Sequence, residues 1–307
     1  MDELTVFAPG TVANLGPGFD VLGLALERPG DTVTVRRSGA RGIRIASIEG
    51  DGGVLPHETE KNTAGIAATE VLRRAASNDG FELDVVKGMP LGSGLGSSAA
   101  SAAAAAVGVN RILGDPLGPL DVVACCVEAE AVVSGRHADN VAPAVLGGLV
   151  LVLTVDPLDV SRVPVPHGLH VVVVTPEFEL PTRKAREALP DTVPMGTVVR
   201  NSANLSALIH ALHTGDMALL GRALDDRIVT PARSPLIPGC DTVIEAAREA
   251  GALGSSISGA GPSVFALCPS KRRTGTVAAA MREAFSAAGL ESTSVVSRAD
   301  NPGARAI

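Results

Sequence analysis

One segment, residues 90–100, constrains the fold of this chain more than any other. It reads Pro-Leu-Gly-Ser-Gly-Leu-Gly-Ser-Ser-Ala-Ala, after a strand pattern at residues 81–87 and at the start of an alanine-rich helix pattern at residues 97–113. Its three glycines lack a Cβ atom, so the backbone can curl and turn successive N–H groups toward one point. The first turn of the following helix adds amides and a dipole that favour negative charge. The sequence therefore predicts a phosphate site between a strand and a helix.

The spacing of the glycines excludes two other phosphate-binding loops. A Walker A loop would continue as Gly-Lys-Ser or Gly-Lys-Thr, which this segment does not. In a dinucleotide-binding fingerprint, the third glycine would come one place later than Gly96. Ser97 and Ser98 add hydroxyl groups that can reach a phosphate or a metal ion. Taken alone, the loop is equally compatible with a tightly packed helix entry that binds nothing.

The composition indicates a globular protein with few aromatic side chains. Hydrophobic residues make up 46% of the 307 residues, charged residues 19% and aromatic residues only 2%. Alanine and aliphatic side chains must therefore fill the core. The formal net charge is −7 and no basic stripe is present, which argues against a nucleic-acid partner.

The sequence also indicates where in the cell the protein is expected. The first residues are acidic where a signal peptide needs basic ones, and the longest apolar run, near residues 149–155, is far shorter than the roughly 20 residues of a membrane span. The four cysteines have no metal-ligand spacing. We therefore expect a cytoplasmic protein with no membrane partner, whose thiols are reduced and buried.

Strand and helix patterns alternate along the chain without a regular β-α-β period, which predicts a layered α+β fold. Residues 156–168 contain three prolines and little periodicity, so a domain boundary is predicted there, between residues 1–160 and 161–307. Strand patterns cover residues 4–7, 31–36, 43–48, 81–87, 148–155, 170–175, 264–267 and 292–297. Helix patterns cover residues 61–76, 97–113, 120–133, 184–189, 202–214, 217–225, 242–250 and 274–288.

The segment 90–100 resembles the phosphate-binding motif of the GHMP kinases, the superfamily of galacto-, homoserine, mevalonate and phosphomevalonate kinases. Residues 9–20 (Pro-Gly-Thr-Val-Ala-Asn-Leu-Gly-Pro-Gly-Phe-Asp) resemble the first motif of that superfamily, and residues 254–263 (Gly-Ser-Ser-Ile-Ser-Gly-Ala-Gly-Pro-Ser) resemble its third. The three motifs come in the superfamily's order. The resemblance implies a two-domain α+β fold, with an ATP-binding N-terminal domain like domain 2 of ribosomal protein S5 and a ferredoxin-like C-terminal domain. The active site would lie between the two.

The resemblance also implies an ATP site and a magnesium site. The residues that match the ATP-binding motif are Pro90, Leu91, Gly92, Ser93, Gly94, Leu95, Gly96, Ser97, Ser98, Ala99 and Ala100. We place the adenine pocket at residues 55–63, including Asn62, with a plain loop tip as the alternative. The superfamily's metal-binding acid matches Glu130, with Ser98 as its co-ligand. Such a pair suits Mg²⁺, which takes few protein oxygens.

The first motif is similar to that of homoserine kinases in particular. There, the residues that match Asn14 and Asp20 hold the substrate's ammonium, and those that match Arg186 and Arg233 bind its carboxylate. A guanidinium has the right shape to form two parallel hydrogen bonds with a carboxylate. Thr182 belongs to the same substrate-binding segment as Arg186. Without the resemblance, Asn14 and Asp20 would equally well form an Asx turn that satisfies its own backbone. Most basic runs like the one at residues 182–186 are solvated helix faces, and Arg183 and Lys184 fit that alternative.

Three polar side chains after Glu130 complete the predicted site. His137 and Asn140 are predicted to orient the substrate hydroxyl, although a structural hydrogen bond accounts equally well for His137 alone. Asp139 stands where mevalonate-type kinases carry a catalytic aspartate, whereas homoserine kinases are thought to work without a dedicated base. The candidate catalytic residues are therefore Glu130, Asp139 and Asn140, and the sequence leaves the role of Asp139 open.

Together these sites predict ATP-dependent phosphorylation of the hydroxyl of L-homoserine to O-phospho-L-homoserine, a step in threonine biosynthesis. Two alternatives stay open: a GHMP kinase for another small alcohol, of mevalonate or shikimate type, and a catalytically silent GHMP-fold sensor that binds a ligand to regulate a partner. A dehydrogenase is opposed by the glycine spacing. Superfamily members are often homodimers, so a homodimer is a further expectation, which no residue pattern here supports by itself.

Overall fold

The computed structural model describes residues 1–133 and 135–307. Its elements follow in the order β1 (Glu3–Ala13), β2 (Leu22–Ser38), β3 (Gly42–Glu49), α1 (Thr63–Arg74), β4 (Gly80–Val86), α2 (Ser97–Ile112), α3 (Pro119–Val133), α4 (Val141–Leu146), β5 (Leu149–Val155), β6 (Leu158–Val163), β7 (His170–Pro176), α5 (Thr182–Glu187), α6 (Met195–Thr214), α7 (Met217–Ala223), α8 (Val229–Arg233), α9 (Cys240–Glu249), β8 (Gly254–Ile257), β9 (Val264–Cys268), α10 (Lys271–Ala287), β10 (Ser292–Arg298) and β11 (Arg305–Ala306). The strands form two sheets, and this mixture of helices and sheets confirms the predicted α+β class.

The first sheet is organised around β2, whose 17 residues pair with three other strands. The strand order is β11-β1-β2-β4-β3, while β5 also pairs with β2 and carries β6 at its side. Strand β5 pairs with residues 22–24 of β2, and β4 pairs with residues 32–38. These pairs are antiparallel, whereas β3 and β4 run parallel. The two ends of β2 therefore belong to different parts of one sheet.

Helix α2 packs small residues against the first sheet and forms the centre of the larger core. The alanines between residues 99 and 106 are all fully buried, which confirms the predicted alanine packing. Further along the helix, a Cβ atom on Gly108 would lie 2.6 Å from a methyl group of Val35 on β2. A helix without large side chains can lie this close to a sheet. Helices α1 and α3 pack against α2, so the start of α2 is held on several sides.

The second sheet has the order β10-β7-β9-β8, with every neighbouring pair antiparallel. Helices α9 and α10 pack against it and against each other. Val172, Val264 and Phe285 are fully buried in the core that the sheet shares with these helices. This part of the chain supplies the third sequence motif, which runs through β8 and the turn after it.

Most predicted elements are present, and the differences have local causes. The patterns miss β6, β8, β11, α4 and α8, which are short. Strand β2 begins at Leu22 rather than at residue 31, because residues 22–26 are continuously buried and show no alternation. Helix α6 begins at Met195 rather than at residue 202, because its first residues are exposed or half-buried and carry no apolar stripe.

The division into residues 1–160 and 161–307 stays a prediction. Residue 160 falls inside β6, which pairs with β5 in the first sheet, so that sheet continues to Val163. The last strand, β11, also returns to the first sheet, where it pairs with β1. The second sheet is therefore formed by residues between these two points of the chain.

The state of the cysteines agrees with the sequence prediction. Cys125, Cys126, Cys240 and Cys268 are free and buried, which confirms the prediction of buried thiols. Burial raises the pKa of Cys125 to about 12, so this thiol stays protonated near neutral pH. Within residues 1–133 and 135–307, no helix has both the length and the apolar character needed to cross a membrane.

Candidate active site

A cavity of about 530 Å³ brings most of the predicted site residues together. Parts of the loop after β1, the glycine loop, the first turn of α2, the end of α3 and α5 line it. The predicted residues in its wall are Asn14, Asp20, Asn62, Leu91, Gly92, Ser93, Gly94, Gly96, Ser97, Ser98, Glu130, His137, Asp139, Asn140, Thr182, Arg186 and Arg233. Four residues of the predicted ATP motif do not line it: Pro90 is exposed, and Leu95, Ala99 and Ala100 are buried in the core.

The glycine loop, residues 91–96, needs its glycines for conformation and for space. Gly92, Gly94 and Gly96 have φ values of 63°, 77° and 65°, in the left-handed region that residues with a Cβ rarely adopt. A Cβ atom on Gly96 would lie 2.3 Å from the hydroxyl oxygen of Thr11 and 2.7 Å from the side-chain oxygen of Asn140. The end of the loop is therefore closely packed where α2 begins.

Two serines of the third motif hold the glycine loop from the other side. Ser263 donates its hydroxyl to the carbonyl of Ser93 at 2.6 Å, and its backbone N–H donates to the same oxygen at 3.2 Å. Ser258 donates its hydroxyl to the carbonyl of Gly94 at 2.8 Å. The hydroxyl of Ser93 is buried and has no hydrogen-bond partner within the described residues. This hydroxyl in the cavity wall can therefore form a hydrogen bond with a ligand.

Ser98 and Glu130 offer two oxygen ligands in the same cavity. Ser98 lies in the first turn of α2, and Glu130 lies near the end of α3 with only 5% of its surface exposed. A hydroxyl and a carboxylate are hard donors, and two protein oxygens suit an ion that keeps waters and phosphate oxygens around it, as Mg²⁺ does. Over residues 1–133 and 135–307, no group of three His, Cys, Asp or Glu side chains could hold a metal by itself. The donor set therefore fits a magnesium ion that arrives with a nucleotide.

Asp139 and His137 are titratable groups in the cavity wall with shifted pKa values. Burial raises the pKa of Asp139 to about 7, with a further increase from the negative charge of Asp20. Burial lowers the pKa of His137, so its imidazole is neutral at pH 7. Strand β2 passes very close to this loop: a Cβ atom on Gly23 would lie 1.7 Å from the carbonyl oxygen of Asp139. The loop after α3 therefore has a fixed position on the sheet.

Asn140 is the link between this loop and the first motif. Its side-chain oxygen accepts a hydrogen bond from the Thr11 hydroxyl at 2.7 Å. Both residues also surround the position where a Cβ on Gly96 would lie. The first motif, the glycine loop and the loop after α3 therefore meet at one point.

Asn14 and Asp20 lie in the loop between β1 and β2, and both have a left-handed backbone, with φ values of 75° and 58°. Asn14 donates to the carbonyl of Gly259 at 3.0 Å and accepts from the backbone N–H of Asp20 at 3.2 Å. Asp20 accepts two hydrogen bonds from Arg186, at 2.9 and 3.2 Å. The side-chain oxygen of Asn14 thus accepts from the backbone six residues on, which is not the Asx turn that the sequence left open, and the carboxylate of Asp20 reaches across to α5.

Arg233, at the end of α8, is the more deeply buried of the two predicted carboxylate-binding arginines, with 2% of its surface exposed. Its guanidinium donates to the carbonyls of Ala185 and Gly259, at 3.0 and 2.7 Å. Burial and the positive charge of Arg186 lower the pKa of Arg233 to about 10, so it remains charged at neutral pH. The ring of Phe19 lies 5.1 Å from the guanidinium carbon of Arg233 and 5.4 Å from that of Arg186. Two cations and one aromatic ring therefore share one side of the cavity.

The sequence reasoning missed a buried ion pair, Asp31 with Lys87, of which Lys87 lines the cavity. Lys87 donates to the carboxylate of Asp31, to the carbonyl of Ser97 at 2.9 Å and to the hydroxyl of Ser101 at 2.6 Å. Asp31 also accepts from Ser101 at 2.7 Å and from the backbone of Gly88 at 3.0 Å. This pair fastens the start of α2 to β2 and β4. Strand alternation was the available signal, because it places Asp31 on the same face as the buried Val33 and Val35.

Asn62 lines the cavity, but its side chain already has structural partners. It accepts a hydrogen bond from the backbone of Ala64 at 3.0 Å, which caps α1, and it donates to the carbonyl of Pro56 at 3.0 Å. Leu55, Pro56 and Thr63 also line the cavity. Segment 55–63 is therefore folded back on the start of α1, and its role in binding adenine stays a prediction.

Similarity to known proteins defines the class. The family model described as GHMP kinases N terminal domain matches residues 62–148, and the one described as GHMP kinases C terminal matches residues 208–287. The crystal structure of L. major mevalonate kinase shares the fold at 17% identity and a TM-score of 0.72, covering 95% of each chain. A Lactococcus lactis galactokinase does so at 16% identity and a TM-score of 0.74, covering 99% of this chain and 95% of that one. The predicted two-domain GHMP fold is confirmed, and the chain belongs to the GHMP kinases.

Relatives with higher sequence identity define the family within the GHMP kinases. A homoserine kinase from Arabidopsis thaliana is 49% identical over 99% of this chain and 85% of its own length, and one from Xylella fastidiosa is 44% identical over 99% and 94%. The crystal structure of homoserine kinase from Cytophaga hutchinsonii is 45% identical, with a TM-score of 0.97 over 100% of this chain and 98% of that one. The chain belongs to the homoserine kinase family of the GHMP kinases.

Proposed function

We propose that this protein transfers the γ-phosphoryl group of ATP to the hydroxyl of L-homoserine, giving ADP and O-phospho-L-homoserine. One observation carries the proposal: the same cavity is lined by a glycine loop at a helix start and by a cluster of opposite charges, Asp20 with Arg186 and Arg233. The loop suits a triphosphate, and the charges suit both ends of an amino acid. Family membership and the intact three motifs support the same reaction.

The nucleotide side of the proposal uses the glycine loop and the first turn of α2. Gly92, Gly94 and Gly96 have positive φ angles, and the backbone amides of this curved loop are available to bind phosphate. The buried hydroxyl of Ser93 is a further hydrogen-bond donor. Helix α2 has 16 residues, so the dipole at its start favours negative charge. The bonds from Ser258 and Ser263 keep the loop in this shape before the nucleotide arrives, which lowers the entropic cost of binding.

The magnesium site of the proposal consists of Ser98 and Glu130. When bound there with the nucleotide, Mg²⁺ supplies positive charge that offsets the negative charge on the phosphates. The carboxylate of Glu130 is nearly buried, so its negative charge is screened less by water than a surface carboxylate would be. Ser98 sits within the first turn of α2, which brings the ion site next to the phosphate site.

The amino-acid side of the proposal uses charges at both ends of the substrate. Asp20, supported by Asn14, takes the ammonium, and Arg186 with Arg233 takes the carboxylate. Mevalonate, galactose and shikimate have no ammonium for Asp20. A charged group that stays unpaired in the complex costs binding energy, so such alcohols are rejected.

The chemistry proposed is direct in-line transfer, in which positioning and electrostatics carry most of the acceleration. Asn140 has a fixed orientation, because Thr11 holds its side-chain oxygen, and together with the neutral His137 it orients the substrate hydroxyl. Asp139 lies in the same wall, and its pKa of about 7 allows it to hold or release a proton near neutral pH.

A coupled assay of ADP release tests the proposal. The purified protein is given ATP and Mg²⁺ with L-homoserine, mevalonate, shikimate or galactose, and the product is identified by ³¹P NMR. We expect turnover with L-homoserine and a phosphate ester on its side-chain oxygen. Turnover with another alcohol instead would favour a different GHMP kinase. Binding of ATP without turnover of any alcohol would favour the catalytically silent sensor.

A further inference from the structure

Two residues to which the proposed function assigns opposite ends of the substrate bind each other in this structure. The guanidinium of Arg186 donates to both carboxylate oxygens of Asp20, with N···O distances of 2.9 and 3.2 Å. Such a two-bond pair matches the geometry that each partner would offer to an amino acid. A substrate that binds both groups therefore competes with this pair for the hydrogen bonds that the two side chains now make to each other.

The pair lies where a ligand can open it. The side chains of Asp20 and Arg186 are each 33% exposed, and both line the cavity. Each partner also has a separate support: Asn14 accepts from the backbone N–H of Asp20, and Phe19 lies beneath the guanidinium of Arg186 at 5.4 Å. Opening the pair therefore leaves both groups near their positions.

Arg233 behaves differently from Arg186. It is 2% exposed, and it donates to two backbone carbonyls, those of Ala185 and Gly259, rather than to Asp20. It is the fixed cation of the cluster. Of the two cations, Arg186 is the one that forms an ion pair with Asp20, so the substrate competes with that pair for both partners.

We infer that the Asp20–Arg186 pair is a specificity filter that admits zwitterions and rejects ligands with a single charge. The inference rests on the proposed function, which it deepens by naming the ligand class that this subsite selects. A zwitterion replaces both partners at once: its ammonium takes the place of Arg186, and its carboxylate takes the place of Asp20. A ligand with one charge pairs with one partner and leaves the other without an ion pair. Its binding is therefore weaker than that of a zwitterion for two reasons: it makes one contact fewer, and it breaks the Asp20–Arg186 pair without replacing it.

The filter predicts that removing one partner improves the binding of a truncated ligand. Two analogues of homoserine carry one charge each: 3-amino-1-propanol lacks the carboxylate, and 4-hydroxybutyrate lacks the ammonium. In Arg186→Met, Asp20 is no longer occupied, so 3-amino-1-propanol binds about five-fold tighter than it binds the wild type, the upper range for a partly exposed ion pair. In Asp20→Asn, 4-hydroxybutyrate gains affinity for the same reason.

Removing a positive charge also helps a cation by simple electrostatics, so a matched control is needed. Arg183 lies on the same helix, α5, lines the same cavity and is paired with Glu187 rather than with Asp20. Arg183→Met removes the same charge without touching the filter. Arg186→Lys keeps the charge but cannot make both bonds to Asp20, and it separates the loss of the pair from the loss of charge.

Ligand-observed NMR titration without nucleotide measures these affinities, and it does not require turnover by the variants. The filter is supported if Arg186→Met binds 3-amino-1-propanol more tightly than both the wild type and Arg183→Met, with Arg186→Lys between them. It is overturned if Arg186→Met binds this amine no more tightly than the wild type, or if Arg183→Met gains as much. Wild-type turnover of L-homoserine is measured first, so that failure of the filter is distinguished from failure of the proposed function.

Discussion

The hydroxyl of Ser263 donates to the carbonyl oxygen of Ser93 at 2.6 Å, across 170 positions of the chain. Ser93 belongs to the glycine loop, and Ser263 ends the third motif next to β9. The backbone N–H of Ser263 donates to the same oxygen, and the hydroxyl of Thr175 on β7 lies 2.7 Å from the hydroxyl of Ser263. The second sheet therefore supports the loop that the proposal assigns to phosphate binding.

Ser263→Ala tests this support. The loop keeps the backbone bond to Ser93 but loses the hydroxyl, and we expect the KM for ATP to rise about five-fold, in line with about 1 kcal/mol for one hydrogen bond. Ser255→Ala is the matched control, because this serine is also buried and donates to the carbonyl of Phe265, away from the loop. Equal KM values for ATP in the two variants, measured by steady-state kinetics, would show that Ser263 has no part in loop positioning.

Glu130→Gln tests the magnesium assignment. The amide keeps the size of the side chain but removes its charge, and we expect kcat to fall by about 10²-fold or more, as for other electrostatic contacts of this kind. Glu128→Gln is the control: it lies on the same helix, α3, and pairs with Arg136 at the surface. Circular dichroism verifies that both variants fold. Near-normal turnover in Glu130→Gln would refute the assignment.

The buried carboxyl of Asp139 predicts a pH dependence of stability. Its pKa is raised from the ordinary 3.8 to about 7, so the folded state holds a proton that the unfolded state releases. The stability from this group is fully present below about pH 4 and is lost as pH rises through about 7, with a slope of up to about 1.4 kcal/mol per pH unit. Asp139→Asn removes the effect. Urea unfolding at pH 5 and pH 8 should show a larger loss of stability for the wild type than for the variant, and parallel losses would contradict the buried, protonated carboxyl.

Lys87 and Asp31 predict a large effect on stability. Lys87→Met leaves the carboxylate of Asp31 buried without its ion-pair partner, which costs about 3–5 kcal/mol in comparable cases. The double variant Lys87→Met/Asp31→Asn removes the unpaired charge and should recover part of that loss. Urea unfolding gives both free energies. A single variant as stable as the wild type would mean that the pair does not hold α2 against the sheet.

Local sequence patterns were sufficient for the elements that carry the phosphate site. The strand before the glycine loop and the helix after it were predicted within about one residue, β4 at Gly80–Val86 and α2 at Ser97–Ile112, because each has an unbroken pattern of its own. Short elements such as β8 were missed. Its sequence, Gly-Ser-Ser-Ile, is fully buried yet mostly small and polar, so hydrophobic alternation gives no signal.

Contacts between distant segments could not be read from the sequence. The family resemblance gives Asp20 and Arg186 as site residues, but no local pattern shows that the two side chains bind each other across 166 positions. The ion pair between Asp31 and Lys87 could be predicted only in part. Alternation places each on the buried face of its strand, which indicates a buried charge, but the partner follows only from the pairing of β2 with β4.

The most direct test is a crystal structure of the protein with a non-hydrolysable ATP analogue, Mg²⁺ and L-homoserine. The account predicts phosphate groups against residues 92–98, the homoserine ammonium at Asp20 and its carboxylate at Arg186 and Arg233, with the Asp20–Arg186 pair opened. Phosphates bound elsewhere, or homoserine bound with its two charges away from these residues, would contradict it.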